Sequence, residues 1–150
     1  MTRKTLLTLA LLLALALCPS PAPAQSPLAG AIPPELEAAL KKEPPLTQTD
    51  IDAYLKILPQ LGSVLSDPAA IAKLSESAGL TDVRFNYITA KIGVSQALAQ
   101  GATAEQIGLS NFPEVLRPSE TEITLVKTNI PKLMEAAMAM TANMPKPAQK

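Results

Sequence analysis

The chain has 150 residues, with 13 Lys and Arg against 13 Asp and Glu, no His and one Cys. Its length fits a single domain, and the lack of His together with the single Cys excludes most zinc sites, Cys or His catalytic pairs and intramolecular disulfides. Beyond residue 24 the chain carries 11 basic and 13 acidic residues, so it lacks the basic surface that nucleic-acid binding requires and we expect no nucleic-acid partner.

Residues 1–24 have the pattern of a secretory signal peptide. Two basic residues precede an apolar run from Leu6 to Leu17, and small residues stand before Gln25, with Ala24 at the cleavage position. The run has about a dozen residues, whereas a membrane-spanning helix needs about 20. We predict cleavage between Ala24 and Gln25, a periplasmic or secreted product, and no transmembrane span in the mature chain.

Cys18 allows a second interpretation, which is a lipid anchor. This residue stands at the end of the apolar run, where a bacterial lipoprotein signal places its modified cysteine. However, Leu17 is large where such a signal has a small residue, and Pro19 follows directly. Cleavage after Ala24 is therefore the main prediction and lipidation of Cys18 the alternative, and this compact signal indicates the bacterial envelope.

Residues 25–45 are predicted to form a proline-rich linker. They contain five prolines, which remove backbone donors and disfavour helical dihedral angles. Within this stretch, residues 34–42 begin with Pro and carry acids early and lysines late, as the helix dipole favours. Two turns of helix are marginal alone, so this segment either packs on the domain or frays.

Residues 46–143 are predicted to form an all-α domain, a small bundle of about four principal helices. The first helix begins after Thr47 or Thr49 and carries apolar residues at spacings of three and four up to Leu65. Pro59 lies inside it and should kink or break it, and Gly62 is its expected end.

Four further segments follow. A short helix begins at Pro68 and is closed by a glycine, and a longer helix runs from Thr81 to Gly101. A brief capped turn opens at Thr103, and residues 110–118 form a connection whose apolar side chains reach the core.

The last principal helix begins with a capping box from Ser119 to Glu122 and contains Pro131 midway. No stretch of the chain alternates apolar and polar residues as a half-buried strand does, and residues 144–150 are predicted to be a disordered tail. The predicted buried face of the helix is an apolar stripe: Ile123, Val126, Ile130, Leu133, Met134, Ala137 and Met138.

The first and last principal helices match at an offset of 72 residues. Either this is an internal duplication, or two capped amphipathic helices arrived at the same pattern independently. A duplication would make the two proline-kinked helices a pseudo-symmetric pair whose bends open a shared groove. The identical pairs are Thr49 and Thr121, Ile51 and Ile123, Pro59 and Pro131, and Leu61 and Leu133.

Four methionines lie within 11 residues near the end of the domain: Met134, Met138, Met140 and Met144. At about 100° per residue they form two pairs on separate faces of a helix. We expect Met134 and Met138 to fill the core, and Met140 and Met144 to form an adaptable apolar surface. A soft metal ion bound by the thioethers is the alternative.

Arg84, Tyr87 and Lys91 share one face of the helix that starts at Thr81. Two cations and a hydroxyl could bind an anionic group there, and a solvated helix face is the other interpretation. Two acidic pairs, each separated by one residue, do not face each other on a helix, so we expect them to stabilise helix N-termini rather than to act as a catalytic pair or a chelate. They are Asp50 with Asp52 and Glu120 with Glu122.

These features predict a non-enzymatic interaction module of the bacterial envelope, which binds a protein partner or acts like a chaperone. The alternative is a carrier of a small apolar ligand or a soft metal ion in the bundle, and a carboxylate-based envelope enzyme is a third hypothesis. The serines have no histidine to activate them, and we assign no catalytic residue, cofactor or metal ligand. The predicted interaction surface comprises Met134, Met138, Met140, Met144, Arg84, Tyr87 and Lys91.

Overall fold

The computed structural model describes residues 34–144, and this part of the chain contains helices and no strand. Within it, the helices are too short or too polar to serve as membrane spans. Three predicted segments lie outside the described residues: the signal peptide with Cys18 and the Ala24–Gln25 cleavage position, the first part of the linker, and the tail beyond Met144. The α-helices are α1 (Pro34–Leu40), α2 (Gln48–Val64), α3 (Pro68–Ser77), α4 (Asp82–Ala99), α5 (Ala104–Ile107) and α6 (Glu120–Ala142), with 3-10 turns at Leu109–Asn111 and Glu114–Leu116.

Side-chain caps confirm the predicted helix starts. Gly79 and Gly101 follow α3 and α4 at φ values of +78° and +96°, which glycine adopts without the steric penalty of a Cβ atom. Local signals in the sequence therefore set most of the helix boundaries. The N-cap residues of α2 to α6 are Thr47, Asp67, Thr81, Thr103 and Ser119.

α4 is the central helix of the bundle. Its residues from Phe85 to Ile92 are all buried, so neighbours surround this part of the helix on every side. α2 and α6 pack against each other and against α4. They run parallel, because Gln48 at the start of α2 exchanges hydrogen bonds with Asn129, while Gly62 near the end of α2 contacts Met140.

α1 packs on α4. Its two leucines, Leu36 and Leu40, are buried in the same core as the longer helices. Of the two outcomes expected for this short helix, packing and fraying, the structure shows packing. Part of the predicted linker is thus a structural element of the domain.

Both internal prolines lie within continuous helices. α2 passes through Pro59 and continues beyond Gly62 to Val64, so the predicted break at Pro59 and the predicted end at Gly62 are wrong. Bending at the prolines stays a prediction. Gly62 serves close packing instead, because a Cβ atom there would overlap the carbonyl oxygen of Met140 and lie 2.9 Å from its carbonyl carbon. The backbones of α2 and α6 therefore touch at this level, and a groove opened by the two proline bends stays a prediction.

The buried face of α6 differs from the predicted apolar stripe. At 100° per residue, the centre of the buried row lies about 80° around the helix from the centre of that stripe. Glu122 and Asn129 are buried because they have hydrogen-bond partners elsewhere in the chain. A prediction from apolar residues alone does not include these two polar residues, so it places the buried face elsewhere on the helix. The buried row is Glu122, Val126, Asn129, Leu133, Ala136 and Met140.

Candidate functional site

The predicted cationic face of α4 is not accessible. Tyr87 and Lys91 are buried, and the side chain of Arg84 is 11 % exposed. The segments that precede α2 and α6 supply hydrogen-bond acceptors to both cations. This corrects both interpretations made from the sequence, the solvated face and the anion-binding face, since the partners of these side chains come from within the chain.

Arg84 holds the start of α2. Its guanidinium makes a two-point contact with the carboxylate of Asp50, at 3.0 Å from Nε to Oδ1 and 2.5 Å from Nη2 to Oδ2. It also donates hydrogen bonds to the carbonyl oxygens of Pro44 and Pro45 and lies 3.5 Å from the carboxylate of Glu43. One cation therefore fixes both the chain that leads into α2 and the first turn of that helix.

Lys91 holds the start of α6. Its Nζ atom lies 3.0 Å from Oε2 of Glu122 and 2.8 Å from the carbonyl oxygen of Arg117. Glu122 also accepts the backbone N–H groups of Ser119 and Leu46, at 2.8 Å and 3.0 Å. Because Leu46 directly precedes the N-cap of α2, Glu122 connects the starts of the two parallel helices.

We call each of these arrangements a capping clamp. A capping clamp consists of an N-cap hydroxyl, a carboxylate three residues later, a cation from α4 and the backbone carbonyl two residues before the N-cap. Apart from the cations of α4, each residue of one clamp lies 72 residues from its counterpart in the other, which is the offset at which α2 and α6 match in sequence. The two backbone carbonyls also correspond at this offset, although the residues that carry them differ. This equivalence supports the duplication hypothesis. The first clamp comprises Pro45, Thr47, Asp50 and Arg84, and the second Arg117, Ser119, Glu122 and Lys91.

Tyr87 lies between the two cations. The centroid of its ring is 5.1 Å from Cζ of Arg84 and 5.4 Å from Nζ of Lys91, distances at which the face of the ring attracts a cation. Burial, followed by the negative charge of Glu122, raises the pKa of Tyr87 to about 12. The phenol is therefore protonated at neutral pH, and its ring joins the two clamps into one structural unit.

The clamp carboxylates are ionised and fully engaged. Burial acts to raise the pKa of Asp50, but hydrogen bonds from Arg84 and Thr47 outweigh it and hold that pKa below the ordinary value of 3.8. Burial likewise opposes ionisation of Glu122, but hydrogen bonds from two backbone N–H groups and from Lys91 hold its pKa below 4.5. Within residues 34–144, no three side chains of the Asp, Glu, Cys or His type come together as a metal site.

The four methionines form two pairs, as predicted, but their faces are the reverse of those expected. Met140 is buried against α2, and Met144 packs at the edge of the core. Met134 and Met138 are 45 % and 67 % exposed. The prediction that these two fill the core is wrong, because α6 is turned toward its partly polar buried row. We call Met134 and Met138 the methionine pair.

The methionine pair is the candidate functional site. Its two side chains are the large apolar ones that the described part of the chain leaves exposed, and they lie one helical turn apart on the outer face of α6. No protein-family model, curated protein or solved structure matches this chain. The choice of site therefore rests on exposure, because the other residues of the predicted surface are buried or pack against the core.

Proposed function

We propose that this chain is an exported, non-enzymatic interaction module of the bacterial envelope, and that the methionine pair contacts its protein partner. The observation that supports this role is the exposure of Met134 and Met138, in a domain that otherwise withdraws its large apolar side chains from solvent. Unbranched thioether side chains adapt to apolar surfaces of different shapes. A partner that presents an apolar groove or patch to α6 would fit this surface.

Contacts along its length hold α6 in a fixed position for such a contact. The second capping clamp holds its start, and Asn129 in its first half exchanges hydrogen bonds with Gln48. Near its end, the backbone contact with Gly62 is followed by the side chain of Asn143, which donates to the carbonyl oxygen of Pro59 at 2.9 Å. A helix held at three levels loses little conformational entropy when a partner binds to its outer face.

The buried charges favour a structural role over a catalytic one. The cations and carboxylates of the two capping clamps neutralise each other, and Tyr87 keeps its proton at neutral pH. An enzyme that used these groups would have to break the contacts that hold α2 and α6 in place. A non-enzymatic function requires no such rearrangement.

Cross-linking in the native envelope tests the proposed contact. A photoreactive residue in place of Met138 should cross-link one partner, which should also copurify with the unmodified protein in stoichiometric amount. The double variant M134K/M138K should lose this partner, whereas M134L/M138L should keep it because the surface stays apolar. T124K/T128K, on an exposed part of α6 away from the pair, is the matched charge control. A partner that M134K/M138K still captures would contradict the proposal.

The intact mass of the protein isolated from the envelope tests export. A chain that begins at Gln25 supports export with cleavage after Ala24, and a chain that begins with a lipid-modified Cys18 supports export with an anchor. A chain that begins at Met1 and fractionates with the cytoplasm contradicts export. The measurement does not depend on the identity of the partner.

A further inference from the structure

We infer that the methionine pair is also a binding site for a soft monovalent metal ion, Cu(I), which is a function beyond the protein contact proposed above. Thioether sulfur is a soft ligand that selects Cu(I) over harder ions. The sequence has no histidine and its one cysteine is Cys18, so thioethers are the soft donors that the helical domain can offer. The domain places two of them side by side on its surface.

The geometry of α6 allows both sulfur atoms to reach one ion. Met134 and Met138 are four residues apart, so their Cβ atoms are about 6 Å apart on the same side of the helix. Each side chain has three rotatable bonds, and exposures of 45 % and 67 % leave both free to turn toward a shared ion. The helix backbone beneath them is fixed, so only side-chain freedom is lost when the ion binds.

The other two methionines are not ligands of this site. Met140 is buried against Gly62 in the contact between α2 and α6, and Met144 packs on the core. One chain therefore supplies two thioethers to the ion.

Anaerobic titration with Cu(I) in competition with a chromophoric chelator tests this inference. Every sample is the chain from Gln25 onward, which lacks Cys18, so that no thiol competes for the ion. We expect one Cu(I) per chain, and at least a tenfold loss of affinity in M134L/M138L with an unchanged circular-dichroism spectrum. M144L, which removes a thioether that packs on the core just beyond the end of α6, should bind as the parent does. Absence of binding by the parent, or full binding by M134L/M138L, would overturn the inference.

The leucine and lysine variants separate this site from the protein contact. M134L/M138L keeps the apolar surface and removes both sulfur atoms, so it should lose Cu(I) and retain the protein partner. M134K/M138K should lose both. If M134L/M138L binds Cu(I) as the parent does, the metal site is refuted regardless of what happens to the partner. If Cu(I) binding follows the thioethers while no partner is captured, the protein contact fails and the metal site stands.

Discussion

Gly62→Ala sets local helix propensity against tertiary packing. Gly62 lies in the last turn or two of α2, where alanine is the better helix former by up to about 1 kcal/mol, so propensity alone predicts a more stable protein. The packing predicts the opposite. The new Cβ atom would overlap the carbonyl oxygen of Met140 and lie 2.9 Å from its carbonyl carbon.

The size of the effect follows from the kind of atom that the new methyl group meets. Overpacking of a core costs about 1–3 kcal/mol when side chains can adjust. Here the obstacle is the backbone of α6, which cannot rotate away, so the cost lies near about 3 kcal/mol. After the gain in helix propensity, Gly62→Ala should lower the free energy of unfolding by about 2 kcal/mol.

Urea unfolding followed by circular dichroism measures this difference. The control is Ser63→Ala, at the next position of the same helix, where the side chain is exposed and the change should stay within about 0.5 kcal/mol. If Gly62→Ala stabilises the protein by about 1 kcal/mol, helix propensity dominates and the close approach of α2 and α6 is refuted.

Three further predictions concern the buried polar groups. Lys91→Met should cost about 3 kcal/mol because it leaves the carboxylate of Glu122 buried without its cation, whereas Lys41→Met, which removes an exposed ion pair, should cost less than about 0.5 kcal/mol in the same unfolding assay. The pKa of Glu122 is lowered in the folded state, so the unfolded chain binds a proton first as the pH falls, and the stability that this carboxylate contributes above about pH 4.5 is lost. Glu122→Gln should therefore make the free energy of unfolding less dependent on pH in this acid range. An unchanged dependence would contradict the role of Glu122. Burial raises the pKa of Tyr54 and of Tyr87 to about 12. Ultraviolet titration should therefore show phenolate forming near pH 12 in the folded protein and near pH 10 in the unfolded protein, and the free energy of unfolding should fall as the pH rises between these values. Phenolate formation near pH 10 in the folded protein would show that the rings are not buried.

The local features of this fold were predictable from the sequence because they depend on neighbouring residues. The capping box that opens α6 acts over three residues, between Ser119 and Glu122, and the proline and glycine that bound α3 act within a single turn. The all-α class and the two separate faces of the methionines follow from the helical repeat. These signals need no knowledge of what packs against the helix.

The sequence predicts which residues belong to the candidate surface, but it does not predict which of them are exposed. The seven predicted surface residues included the methionine pair, yet Met134 and Met138 were assigned to the core. Arg84 and Lys91 carry no local sign of burial, since their carboxylate partners lie 34 and 31 residues away along the chain. The repeated acid three residues after each N-cap was the one available signal for a shared role, and it did not reveal the cations.

The amino-acid sequence by itself determined where most of the helices begin and end, because caps, prolines, glycines and apolar spacing act over a few residues. The tertiary structure decided which face of α6 is buried and which methionines remain on the surface. The physical reason is that a polar group enters the core when a distant segment satisfies its hydrogen bonds or its charge, as Leu46 and Lys91 do for Glu122. Once such groups are buried, α6 turns toward them and carries the methionine pair out to solvent.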